Sequence, residues 1–483
     1  MKKNNKTQNY FFSAFVLFRQ RKNIGCRLLS LFIVLSVCIS NLSAGEKAET
    51  KKYFTDGFLD SLQRRTFNFF WETTDAKTGL TPDRYPNITF SSTAAIGFAL
   101  TSYGIGAERG YVTRAQAAQR VLSTLQFLLS VKQGNESEGT NGSRGFFYHF
   151  LKFSDGTRFA DDVELSSIDT GLLMAGILFC QSYFDNQTPI EQSIRRAADS
   201  LYRRVEWNWM QPEPPLIAMG WYPEKGFHHL NWRGYDEAMI LYLLALGSPT
   251  HPIAPEAWSE YTKSYLWEKY FGYEFVSFAP LFGHQYTACW VDLRGIRDAY
   301  MRKKEIDYFE NSRLATYANR AYAVENPRKF RGYGQNLWGF SACDGPADET
   351  RTVDGMQRRF LAYGARGHSY HWTSDDGTIT PTAAGGSIAF APEICFSALK
   401  TMREEIPGLW STYGFFDSFN LSYITEKTPN GWVDNDYLGI DQGPIVIMIE
   451  NLRSEFVWKV MKKNPSLIRG LKRAGFTGGW LDK

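Results

Sequence analysis

The chain has 483 residues, 43% hydrophobic, 16% aromatic and 22% charged, with a formal charge of +4. This composition excludes a disordered or fibrous chain and leaves room for one large domain or two to three ordinary ones. Seven cations and no acid fall in the first 44 residues, so the remainder carries −3, which excludes the basic stripe of a nucleic-acid binder.

At the N-terminus, Lys2, Lys3, Lys6, Arg19, Arg21, Lys22 and Arg27 precede the apolar run LLSLFIVLSVCIS and then NLSAGEK. The pattern reads as a signal peptide over residues 1–44, cleaved near Ala44, although longer than the usual roughly 15–30 residues. Val37 is too bulky beside Cys38 for a lipoprotein box. Export to the periplasm or the medium is therefore expected, without a lipid anchor. No later run is long and apolar enough for a membrane-spanning helix. A single monomeric domain is expected over residues 45–483, its core starting at about 53.

An amphipathic helix is predicted around 57–73, and after it one unit recurs. A polar or glycine-rich start leads into an apolar helix rich in small residues, then a turn, then a more charged helix. The starts are SSTAAIGFALTSYG from Ser91, SSIDTGLLMAGILF from Ser166 and GYDEAMILYLLALG from Gly234. Less regular copies begin at Asp292 (DLRGIRDAYM), Gly385 (GGSIAFAPEICFSAL) and Gly439 (GIDQGPIVIMIENL). Helices apolar all round are buried, and those with one charged face are half wet. Six such pairs predict an all-α (α/α)6 barrel, a double ring with the apolar helices inside.

The connections into the inner helices are long and aromatic, among them GFFYHFLKFSDGTRFADDVE, GWYPEKGFHHLNWRGYDE, FGHQYTACWVDLR, YGQNLWGFSACDGP and GHSYHWTSDDG. In a helical barrel they gather at one end, and loops of this length are usually functional. Aromatic faces stack on the C–H faces of sugars, while carboxylates and arginines take the hydroxyls. The candidate sugar contacts are Trp232, Arg233 and Tyr235, with His284, Tyr286, Trp338, His371 and Trp372 on the other rim loops.

Hydrolysis of a glycosidic bond needs two carboxyl groups across the bond, one of them protonated. Asp161, Asp162, Glu164 and Asp169 cluster in ADDVELSSIDTG, and Asp236 and Glu237 stand before the third apolar helix. An Asp in front of such a helix is more often a cap than a catalyst. Asp236 is therefore assigned to capping and hydroxyl binding, and Asp169 to backbone or substrate contacts. Capping accounts least well for Glu237, Glu164 and Asp161. A helix N-terminus lowers a carboxyl pKa whereas a general acid needs it raised, so Glu237 requires burial and like charges to overcome the dipole. The histidines include His228–His229 and His368/His371 but form no metal-ligand pattern, and no cofactor motif is present. Cys180, Cys289, Cys343 and Cys395 are scattered and read as buried small hydrophobes. Asp83 and Arg84, in DAKTGLTPDRYP, are expected to pair in a rim turn.

At VELSSIDTGLLMAG, GYDEAMILYLLALGS and GGSIAFAPE the chain resembles glycoside hydrolase family 144, the glucoamylase-like β-1,2-glucanases of soil and gut bacteria. The resemblance runs from about Phe54 to the C-terminus. It implies an (α/α)6 barrel, no cofactor, and inverting cleavage of a neutral β-1,2-glucan, internally or with release of short units such as sophorose. Carried over residue by residue, it makes Glu237 the proton donor and Asp161 and Glu164 the other important carboxylates. A further family acid has no match, since Thr157 stands in its region and Asp155 is offset. The general base is therefore left open. A polysaccharide lyase on the same barrel and a non-catalytic glycan-binding protein are the alternatives.

Overall fold

The computed structural model describes residues 56–483, and the expected leader over 1–44 lies outside the described residues. Helices alternate between an outer and an inner position along the chain. The first, α1 (Gly57–Thr73), is outer and amphipathic, capped by Asp56, whose side chain accepts from the Phe58 N–H. Inner α2 (Thr93–Glu108) and α4 (Ser167–Tyr183) are buried on nearly every side, as apolar helices rich in small residues must be. Outer α3 (Arg114–Ser130) has a capping box between Thr113 and Gln116, and α5 (Pro189–Arg203) starts on Thr188 with Pro189 in the first turn. Each buries one stripe and leaves the other face in water.

Inner α6 (Met239–Gly247) has every residue buried and is followed by outer α7 (Glu256–Lys263). Inner α8 (Phe282–Trp290) and short α9 (Ala299–Lys304) lead to outer α10 (Tyr308–Glu325). Inner α11 (Pro381–Gly385), outer α12 (Pro392–Glu405) and inner α13 (Gly439–Ser454) complete six pairs, and α14 (Phe456–Met461) and α15 (Pro465–Arg473) follow. The predicted (α/α)6 barrel is the architecture observed. The described residues, 56–483, pack as one unit, and no helix among them is long and apolar enough to cross a membrane.

Two repeat units differ from their predicted positions. The fourth inner helix is α8, in the stretch expected as a rim loop, while the residues from Asp292 form a loop and α9. Asp292, though buried, lies in the loop that follows and is tied by ion pairs to Arg294 (2.7 Å) and Lys462, while the helical residues Gly283–Trp290 are all buried. The fifth inner helix ends at Gly385, where it was expected to begin. Gly386 closes it, and Pro392 then opens the outer helix.

The ring closes where α1 meets α13. Gln63 Nε2 donates to Glu450 Oε2 (2.8 Å), and Arg453 reaches Gln63 (2.8 Å) and Asp60 (3.2 Å). Inner helices α2 and α4 touch backbone to backbone at Gly97 and Gly176. A Cβ on either would collide with the other helix's main chain, at Leu172 O and Gly97 O respectively. At the rim, a five-stranded antiparallel sheet runs Gly142–Ser143, Phe146–Tyr148, Leu165–Ser166, Gly220–Tyr222, Gly226–Phe227. Its strands carry the loops that enter α4 and α6.

Candidate active site

The rim sheet sets the first acidic group. Tyr148 is in register with Leu165, and the His149 N–H donates to Glu164 O (3.0 Å), which brings the next side chains together. His149 Nδ1 lies 2.8 Å from Glu164 Oε1, and its Nε2 lies 3.6 Å from Asp169 Oδ1. Asp169 sits in the first turn of α4 and is 3% exposed; its N–H donates to the Ser166 hydroxyl, which donates back to its carboxylate.

Electrostatics divide these groups. Burial alone would lower the His149 pKa, but the charge of Asp169, the hydrogen bond to Glu164 and the charges of Glu164 and Asp83 push it up to about 9. At neutral pH it is an imidazolium. Burial works upward on Glu164, yet the hydrogen bond and charge of His149 hold its pKa below the usual range, so it is ionised. Asp169 goes the other way: burial raises its pKa against the pull of His149.

Asp236 and Glu237 precede α6 rather than lying inside it. The cap position is Ala238, whose N–H donates to Asp236 Oδ1 (3.0 Å), so Asp236 shapes the turn ahead of the helix. Tyr261 donates its hydroxyl to the same oxygen (2.8 Å). Burial and the neighbouring Glu237 charge raise the Asp236 pKa well above the ordinary range. Glu237 is half-buried, and its pKa is pushed up to about 7, by burial first and then by the charge of Asp169. The burial and like charge that the sequence required to overcome the helix dipole are both present.

The other predicted residues divide into two sets. Arg233, Tyr235, Asp236, His371 and Trp372 line one cavity of about 460 Å³ together with Phe278. Trp372 is 47% exposed, and His371 Nε2 approaches Glu268 at 3.3 Å. Tyr286 is buried on α8 and feels the charges of both Glu237 and Asp441, so it stands between two acidic groups. Trp232, His284 and Trp338 are occupied inside the protein. Trp232 donates its indole N–H to Ser167 Oγ (2.9 Å), His284 Nε2 lies 3.1 Å from Phe278 O, and Trp338 is fully buried. Burial drives the His284 pKa down to about 4, which leaves it neutral. Asp161 is exposed, and its backbone carbonyl accepts from Arg158.

The second acidic group comes from segments far apart in sequence. Arg84 pairs with Asp344 (2.8 Å) more closely than with Asp83 (3.6 Å), and reaches Asp436 at 3.7 Å. Asp83 links the two groups: burial raises its pKa to about 6, moderated by Arg84 and His149 and reinforced by Asp344 and Asp169. Sequence reasoning missed His149 and also Asp417, whose Oδ2 accepts from the Asp344 N–H (2.8 Å) in this second group. The aromatic stretch GFFYHF was noted for its rings, and its histidine was the available signal; nothing local marks Asp417.

The family model described as "Putative glucoamylase" matches residues 229–465. A solved structure with the same description, from Bacteroides uniformis ATCC 8492, is 31% identical with a TM-score of 0.75, over 88% of this chain and 98% of that one. An endo-β-1,2-glucanase from Chitinophaga pinensis is 26% identical with a TM-score of 0.76, over 87% of this chain and 98% of that one. An exo β-1,2-glucooligosaccharide sophorohydrolase (non-reducing end) of Parabacteroides distasonis is 28% identical over 470 residues, 90% of this chain. The chain spans 60% of that relative's length. The barrel and these similarities together show that the chain belongs to the glucoamylase-like family.

Proposed function

We propose that the chain hydrolyses neutral β-1,2-linked glucan, with Glu237 as proton donor and the ionised Glu164 as the carboxylate that takes the proton from attacking water. The observation that carries the reading is the opposite displacement of the pKa values of two carboxyl groups that both interact with Asp169. Burial and the Asp169 charge hold Glu237 near 7, while His149 keeps Glu164 ionised. Carboxyl groups driven apart in this way are suited to acid and base roles. Glu237 would protonate the glycosidic oxygen as the bond to the anomeric carbon breaks. Water would attack that carbon from the opposite face and lose its proton to carboxylate, inverting the configuration. The relatives named for β-1,2-glucan support the linkage, and the cavity lined by Asp236, Tyr235, Arg233 and Trp372 next to Glu237 in the chain supports sugar stacking and hydroxyl contacts. The cationic and then apolar segment before Ala44 supports action outside the cytoplasm.

The test is release of reducing ends from β-1,2-glucan. Glu237→Gln is expected to lower kcat roughly 10²–10⁴-fold with little change in KM, the loss typical of a missing general acid. Turnover at the wild-type rate would remove Glu237 from the mechanism. Fresh products examined for their anomer test inversion directly.

A further inference from the structure

Three loop segments converge beside the rim and bring Asp344, Asp417 and Asp434 together. Asp344 ends the strand Ala342–Asp344, Asp417 precedes the strand Phe419–Asn420, and Asp434 follows the strand Trp432–Val433. One carboxylate oxygen from each lies within 4.8 Å of the others. All three residues are at least nine-tenths buried, at 7%, 2% and 7% exposure. Backbone and side-chain bonds fix the segments to one another. The Asp344 N–H donates to Asp417 Oδ2 (2.8 Å), Ser418 Oγ donates to Asp344 O (2.7 Å), and the Asp434 N–H donates to Ser418 O (2.9 Å).

The charge of this cluster is not matched by the protein. Arg84 pairs with Asp344, but Asp417, Asp434 and the adjacent Asp441 have no ion pair among the described residues. Asp417 Oδ1, Asp434 Oδ2 and Asp441 Oδ2 are buried without a hydrogen-bond partner. Asp417 and Asp434 each accept backbone N–H groups on the other oxygen, but a buried carboxylate oxygen with neither partner nor counter-charge is costly, so these free oxygens are aimed at something that compensates them. The donor set is carboxyl oxygen only, which suits a hard cation. Calcium takes six to eight oxygens at about 2.3–2.6 Å, so ligands on opposite sides of one ion stand about 5 Å apart, wide enough for this triad.

We propose that Asp344, Asp417 and Asp434 bind one calcium ion, with Asp441 at its edge, and that the ion ties the three loop segments together beside the cleft. Sequence spacing gave no hint of it, because each ligand comes from a different loop. The proposal is independent of the catalytic roles given to Glu237 and Glu164.

The experiment uses the full chain, stripped with EDTA and desalted, then titrated with calcium chloride by calorimetry and followed by thermal melting. One equivalent should bind and raise Tm. Asp434→Asn and Asp344→Asn should each weaken binding by about tenfold or more, since calcium affinity follows ligand charge. Asp348→Asn, on an exposed acid, should bind as the wild type. Two ligand variants are used so that a folding failure in one, seen by circular dichroism, leaves the other decisive. Absence of both heat and Tm shift in the wild type overturns the proposal, as does unchanged binding in a folded ligand variant. A Tm rise with sophorose but none with calcium also overturns it, and assigns the carboxylates to sugar hydroxyls.

Discussion

Glu237 and His149 carry opposite consequences for stability. A carboxyl whose folded pKa is raised costs the fold stability once it ionises, so Glu237 weakens the folded state increasingly as pH climbs from the ordinary Glu range through about 7, after which the cost levels off. Glu237→Gln is therefore expected to melt higher than the wild type at pH 8 and no higher near pH 4.5, while losing activity. A loss of stability at both pH values would mean that Glu237 has a structural role instead. For His149 the folded pKa, about 9, lies above the unfolded one, so its contribution is complete below roughly pH 6.5 and disappears as pH rises through 9. His149→Gln should be less stable than the wild type at pH 6, with the difference in Tm closing toward pH 9.5. The same change removes the cation that keeps Glu164 ionised, so the acidic limb of the kcat/KM profile should move to higher pH. A profile that stays in place would separate Glu164 from the rate.

The inner helices depend on small residues at fixed points. At Gly97 and Gly176 the obstacle to a Cβ is main chain of the neighbouring helix, which cannot swing aside as a side chain would. Gly176→Ala should therefore cost about 3 kcal/mol or more, read from the urea midpoint. An unchanged midpoint would show that α2 and α4 can slide apart. The turn ahead of α6 shows how an element's exact start matters for chemistry. Because the helix begins at Met239, Asp236 is tied to Ala238 and Tyr261, while the Glu237 side chain makes no hydrogen bond or ion pair among the described residues. Periodicity located that helix and its two acids, but it could not separate their tasks, since both sit in the same polar start. The same blindness moved the fourth inner helix. FGHQYTACW mixes glycine, histidine and glutamine; His284 is satisfied by Phe278 just ahead of the helix, and Gln285 by Ala383 and Ser387 of the neighbouring inner segment.

At the scale of the whole molecule the C-terminal segment acts as a brace. Gly470 on α15 lies against Leu243 O of α6, and Gly247 against Ser466 O, so the two helices approach as closely as α2 and α4. Asn464 donates to Ser182 Oγ (3.0 Å) on α4, Arg469 Nε to Gly247 O (2.9 Å), and Trp480 to Asp292 O (2.8 Å). Truncation after Asn464 should expose the buried face of α6 and give aggregated or low-melting protein, measured by size exclusion and thermal melting. A truncated chain with the native Tm would show that the double ring stands without this brace. By itself the sequence determined the all-helical double ring, the burial of the apolar helices, the gathering of aromatic loops at one end and the candidacy of Glu237 and Glu164. Each of those is written in local pattern: period, cap, glycine and loop length. Only the tertiary structure decided that His149 stands between Glu164 and Asp169, that Asp161 faces solvent, that Trp232 and Trp338 are buried inside the protein, and that Asp344, Asp417 and Asp434 meet. Those facts depend on which loops lie side by side once the ring closes, and burial and charge, which set protonation, exist only after it has closed.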